Sequence, residues 1–178
     1  VNRSGWSTGN AMVFILSRSD KDNRRVVYSY DGSPSVGLAK KYAPKLIITY
    51  DDAASGGGTS TCTADIRVGA NIDDADDRED GELFNKALRF GDKWVGLRFA
   101  SVPIPQGAEI FSANLKLATG LSSSGFSNNN DNSRSRVTVW GQDSNNALSF
   151  STTTDNIKDR NKTNSNKTWT EYDYWNTY

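Results

Sequence analysis

The chain has 178 residues, 35% of them hydrophobic, with 21 basic residues balanced by 21 acidic ones, a single cysteine and no histidine. Balanced charge gives no overall reason to expect nucleic acid or an anionic membrane as partner, and no run of roughly 18 apolar residues is present to span a bilayer. Without histidine the Ser-His-Asp triad, the usual general base and most zinc and copper sites are excluded.

Ser, Thr, Asn, Asp and Gly fill much of the space that apolar residues leave, which predicts many short strands joined by polar loops. The chain opens at Val1-Asn2-Arg3-Ser4-Gly5-Trp6, with no initiator Met and no signal-peptide core, and reads as a mature fragment or a piece of a longer protein. Ala11 to Leu16 is a continuous apolar run, too short to cross a membrane and suited to a buried strand. Strand patterns follow in RRVVYSYDG, with Asp31-Gly32 as a turn, and in APKLIITYDD, where Leu46, Ile48 and Tyr50 share one face. Residues 51–64, DDAASGGGTSTCTA, have the composition of a flexible linker. After it the pattern restarts at Asp65-Ile66-Arg67-Val68 and passes through an acidic stretch, Asn71 to Gly81. Further strands are predicted at Trp94 to Phe99, Ser112 to Leu117 and Arg136 to Trp140, with a Pro103/Pro105 turn ending in Gln106-Gly107-Ala108. Ala147 to Phe150 suits one helical turn, and the chain then stays polar until an aromatic cluster from Trp169 to Tyr178. The predicted fold is all-β, an antiparallel β-sandwich of jelly-roll type.

Several segments together resemble a known type of module. IDDADD, VGLRFASVPIPQGAEIFSANLKL and VWGQDSNNALSF resemble the opening of tandem bacterial extracellular β-sandwich modules, the carbohydrate-binding-like jelly rolls of DNRLRE style. VNRSGW, STGN, VVYSYDG and APKLIITY resemble their closing segments, yet stand first in this chain. The resemblance implies a division into 1–50 as the closing strands of one module, 51–64 as linker and 65–178 as the opening part of the next. Such modules carry no catalytic role and occur in large secreted or cell-surface proteins. With the order permuted, the closing strands come from the same chain, from neighbouring copies by strand complementation, or from covalent repeats. The expectation is a non-catalytic, extracellular structural or adhesive module that binds copies of itself. The alternative is a calcium-dependent carbohydrate-binding module with a polysaccharide partner.

Three sets of side chains are candidates for chemistry. Asp73, Asp74, Asp76 and Asp77 stand so close that a cation or cationic side chains must offset their repulsion. Calcium takes six to eight oxygen ligands and suits them, although the spacing is not that of an EF-hand. The plainer alternative is an acidic loop paired with Arg67, Arg78 or Arg98. Asp51-Asp52 and the Asp20, Asp22, Asn23 loop are weaker acidic sites and read as turns. Trp169, Tyr172 and Trp175 present flat rings that stack on sugars, or else anchor a core or interface. Cys62 is either a free thiol in the linker or an interchain disulfide. Carboxylates alone do not make a glycosidase, and no acid is marked by the sequence as one.

Overall fold

The structure, a computed structural model, describes residues 3–18, 25–33, 35–36, 39–51, 60–77, 87–90, 94–118 and 135–171. Its strands are β1 (Met12–Arg18), β2 (Arg25–Tyr28), β3 (Ser35–Val36), β4 (Ala39–Lys40), β5 (Lys45–Asp51), β6 (Thr61–Arg67), β7 (Asp74–Asp76), β8 (Ala87–Phe90), β9 (Val95–Phe99), β10 (Ile110–Lys116), β11 (Ser135–Gln142) and β12 (Lys162–Glu171). They form a five-stranded sheet in the order β12-β11-β1-β9-β7, a three-stranded sheet β10-β5-β6, and two ribbons, β2-β8 and β3-β4. Every pairing is antiparallel. The fold is therefore all-β, as the sequence predicts, and its layering is consistent with a β-sandwich.

The position of β1 explains why its sequence is apolar without interruption from Met12 to Leu16. Met12, Phe14 and Leu16 lie opposite Phe99, Leu97 and Val95 of β9. This face belongs to the main core, which also takes Leu46, Ile48 and Tyr50 of β5, Ala64 of β6, and Leu88 and Phe90 of β8. Val13 and Ile15 point the other way, into a second cluster with Ala75, Ala147, Phe150 and Ile157. Successive side chains of a strand face opposite sides, so a strand covered on both faces needs apolar residues at every position. The second cover is a strap, residues 147–160, lying over the outer face of the five-stranded sheet. Ala147 to Phe150, expected as a helical turn, forms no helix and has no regular secondary structure. Ala147 and Phe150 are buried while Leu148 is 79% exposed, which is the pattern of a strap pressed down at intervals.

The N-terminal strands stand in the middle of both large sheets: β1 lies between β11 and β9, and β5 between β10 and β6. Strands from both sides of residues 52–59 thus share each sheet. β6 begins at Thr61, so residues 61–64 are strand rather than linker, with Cys62, Ala64 and Ile66 turned toward the core. Trp6, 4% exposed, donates from Nε1 to the Ile104 carbonyl at 2.8 Å and fixes the N-terminal segment against the β9–β10 connection. The Pro-Gln-Gly turn forms as expected: Ala108 N–H donates to the Pro105 carbonyl, and Gly107 takes a φ of 83° that other residues adopt only with strain.

Candidate functional site

The acidic segment enters the fold as a single 3-10 turn, Asn71–Asp73, followed by β7. β7 pairs with β9 so that Asp74 faces Leu97, Ala75 faces Gly96 and Asp76 faces Val95. Leu97 and Val95 point into the main core, and strand alternation sends Asp74 and Asp76 to that same inner side. There Asp74 Oδ2 accepts the Tyr30 N–H at 2.6 Å, and Asp76 Oδ2 accepts the Arg89 N–H at 3.2 Å. These two carboxylates tie the edge of the large sheet to the β2–β8 ribbon.

Asp73 and Asp77 act on the other side. Asp73 Oδ1 accepts from Arg98 Nη1 at 2.6 Å, and Arg98 Nε donates to the Ala147 carbonyl at 2.8 Å. The Asp77 carboxylate accepts the N–H groups of Ile157, at 3.1 Å to Oδ2, and of Lys158, at 2.7 Å. Arg160 closes the strap with hydrogen bonds to Gln142 Oε1 and to the carbonyls of Leu148, Ser149 and Asn156, its guanidinium 4.4 Å from the Phe150 ring centroid. The acidic motif is a clasp: one pair of carboxylates holds an inner ribbon, the other an outer strap.

Burial of carboxylates at this density has an electrostatic consequence. Asp74, 2% exposed, is pushed up to about 8, first by loss of water and then by Asp31, Asp73 and Asp76, against the opposing hydrogen bond from Tyr30. Burial also raises Asp77, while the Lys158 and Ile157 N–H groups hold it down. Burial lowers Arg160, with Arg98 adding to the effect.

The four aspartates proposed as calcium ligands are thus all buried, but each accepts from donors of its own, on two sides of a strand. Among the described residues, no three His, Cys, Asp or Glu side chains are grouped so as to hold a metal ion. Arg98, offered by the sequence as a partner of the acids, is one; Arg67 instead donates to the Lys41 carbonyl, and Arg78 lies outside the described residues. Trp169 sits on β12 opposite Val137 and is 42% exposed. Tyr172 and Trp175 lie outside the described residues, so their place beside Trp169 is not defined. Cys62 is a half-buried free thiol on β6 packed against the core. Arg160 and the strap it closes carry no signal in the sequence, since its acceptors are mostly backbone carbonyls.

No protein-family model, curated protein or solved structure matches the chain.

The clasp makes a direct prediction. Asp77→Ala leaves two strap N–H groups without their charged acceptor, one of them on the fully buried Ile157. Charged hydrogen bonds of this kind contribute about 1.5–3 kcal/mol each, so a loss of about 3 kcal/mol is expected. Urea unfolding measures the loss, and limited trypsin digestion should cut first after Lys158 or Arg160 as the strap lifts.

Proposed function

We propose that this chain is a non-catalytic extracellular module of jelly-roll type, one repeat of a surface filament, stalk or large adhesin of the kind it resembles in sequence, whose copies join by exchanging residues 3–51. The observation that supports this is the central place of that segment. Without β1 and β5, strands β11-β12 lose β9-β7, and β10 loses β6. The segment must be supplied either by the chain itself or by another copy. It runs on into the rest of the chain through the nine residues 52–60, between the paired residues Asp51 and Thr61. Extended, nine residues reach roughly 30 Å. Exchange keeps every contact outside the connection, and head-to-tail exchange that does not close makes a linear polymer.

A cross-strand disulfide tests it. Thr49 and Thr63 are paired on the outer face of the three-stranded sheet, where two cysteines are in reach of each other. Thr49→Cys/Thr63→Cys is made with Cys62→Ser, assembled and oxidised. Exchange predicts a ladder of covalent multimers on a non-reducing gel; a monomer band alone, with both thiols consumed, defeats the reading.

One observation favours the second reading, a calcium-dependent carbohydrate-binding module. Among the described residues, Asp74 is buried beside Asp31, Asp73 and Asp76, whose charges raise it, and the Tyr30 N–H is what holds it down. Calcium would supply the missing positive charge, with Asp74 as its central ligand, and Trp169 would offer a stacking face to a sugar. A calcium-dependent rise in Tm that disappears in Asp74→Asn supports this reading; a Tm indifferent to both calcium and chelator removes it.

A further inference from the structure

Although the chain as a whole is neutral, its charges are unevenly placed on the outer face of the three-stranded sheet. Register puts Lys116 of β10 opposite Lys45 of β5, and Lys45 opposite Arg67 of β6. All three stand on the face opposite Leu46, that is, outward. Adjacent strands lie about 4.8 Å apart, so this is a short row of cations at near-regular spacing. Lys41 and Lys40 extend it. The Arg67 guanidinium donates to the Lys41 carbonyl at 3.0 Å, Lys41 Nζ sits 4.8 Å from the Tyr42 ring centroid, and Lys40 Nζ sits 5.4 Å from that of Tyr30. Tyr42 in turn stacks on Tyr28.

Against these five cations the same end of the sheet presents Asp65, which is in an ion pair with Lys45. Like charges directly opposite one another across a sheet destabilise it, so the row stores repulsion that an extended anion relieves. The neighbouring outward residues are the amide and hydroxyl side chains of Asn114, Thr49, Thr63 and Ser112, with the half-buried Ile47 between them. The exposed ring of β10, Phe111, stands at the bulge, five residues along the strand from Lys116, so the row Lys116, Lys45, Arg67 itself has no stacking platform of the kind a single-stranded nucleic acid uses. We propose that this face binds an acidic polysaccharide, its successive carboxylates lying on the row Lys116, Lys45, Arg67 and its hydroxyls on the flanking Asn and Thr side chains. This ligand and face differ from the aromatic sugar site read from the sequence. Lys40, Lys41 and Lys45 come from residues 3–51, and Arg67 and Lys116 from the rest. The row therefore forms whether a copy keeps that segment or exchanges it, and the proposal stands or falls apart from strand exchange.

The test is affinity electrophoresis of the full chain in native gels containing polygalacturonate, with its fully methyl-esterified form as the uncharged control. Polygalacturonate should retard the protein, and added salt should weaken the effect. Arg67→Gln/Lys116→Gln, both at exposed positions, should weaken binding by about tenfold or more, with Tm unchanged or raised. Lys158→Gln, a charge removed elsewhere on the surface, should leave binding unchanged. Equal retardation by the esterified polymer, full binding by the double variant, no retardation at low salt, or tighter binding to single-stranded DNA would each overturn the proposal.

Discussion

Gly96→Ala is expected to lower stability by about 3 kcal/mol, the upper end of the range for overpacking a well-filled core. A β-carbon on Gly96 would come within 2.4 Å of Phe150 Cζ and 2.6 Å of its Cε1. The ring has no easy retreat. Phe150 is 4% exposed, lies among Val13, Ile15, Ala75 and Ile157, and is covered by the Arg160 guanidinium. Its backbone is also fixed, since its N–H donates to the Ile72 carbonyl at 3.0 Å. Glycine is therefore required here by a neighbour and not by the backbone, and shortening the neighbour should rescue the variant. In Phe150→Leu the branch ends before the Cζ position. The double variant Gly96→Ala/Phe150→Leu should be more stable than the sum of the single changes by at least about 1 kcal/mol, a coupling of the size that contacting residues show. Thermal unfolding of the four proteins measures it. Simple additivity would mean that the strap moves aside as a unit and does not pack as described.

What the sequence made legible follows from where each element is covered. β5 and β11 largely alternate apolar with polar residues because one face meets the core, β9 does so with a glycine where the strap presses on its outer face, and β1 is apolar from Met12 to Leu16 because both faces are covered. β12 was invisible for the opposite reason. As an edge strand with Asn164 to Trp169 all exposed, it has no pattern to show, and KTNSNKTWTE reads as a loop. Composition also assigned Thr61–Ala64 to the linker, whereas the inward alternation of Cys62 and Ala64 already continues that of Ile66 and Val68. The acidic motif was found at once as a cluster, but clustering in sequence is not convergence in space. On a strand, neighbours point apart, so a run of aspartates places carboxylates on two sides and meets separate donors on each. Those donors are mainly backbone N–H groups of Tyr30, Arg89, Ile157 and Lys158, which every non-proline residue possesses and no sequence pattern marks.

In the absence of calcium, Asp74→Asn should stabilise the protein at neutral pH, against the usual direction for replacing a buried, hydrogen-bonded residue. The folded-state value of Asp74 is pushed up to about 8 from an ordinary 3.8. A carboxyl raised in this way favours the folded state while it is protonated. Its contribution is complete below about pH 4 and is lost as pH rises toward 8, because over that range the unfolded chain ionises freely while the folded chain keeps the buried carboxyl protonated and forgoes that ionisation. Each unit corresponds to about 1.4 kcal/mol, so at pH 7 the loss is on the order of 4 kcal/mol. Asparagine keeps the shape and the carbonyl oxygen that accepts the Tyr30 N–H, and it carries no charge at any pH. The variant's stability should therefore be flatter between pH 4 and pH 8 and exceed that of the parent at the upper end, as measured by urea unfolding at several pH values with a chelator present. The same pair of proteins separates a structural clasp from a calcium site. If calcium is bound, its charge removes the penalty, the parent becomes the more stable protein when calcium is added, and the order of the two reverses. If the order is the same with and without calcium, Asp74 is a carboxyl held for its hydrogen bond alone, and it is the neutral form that the fold selects.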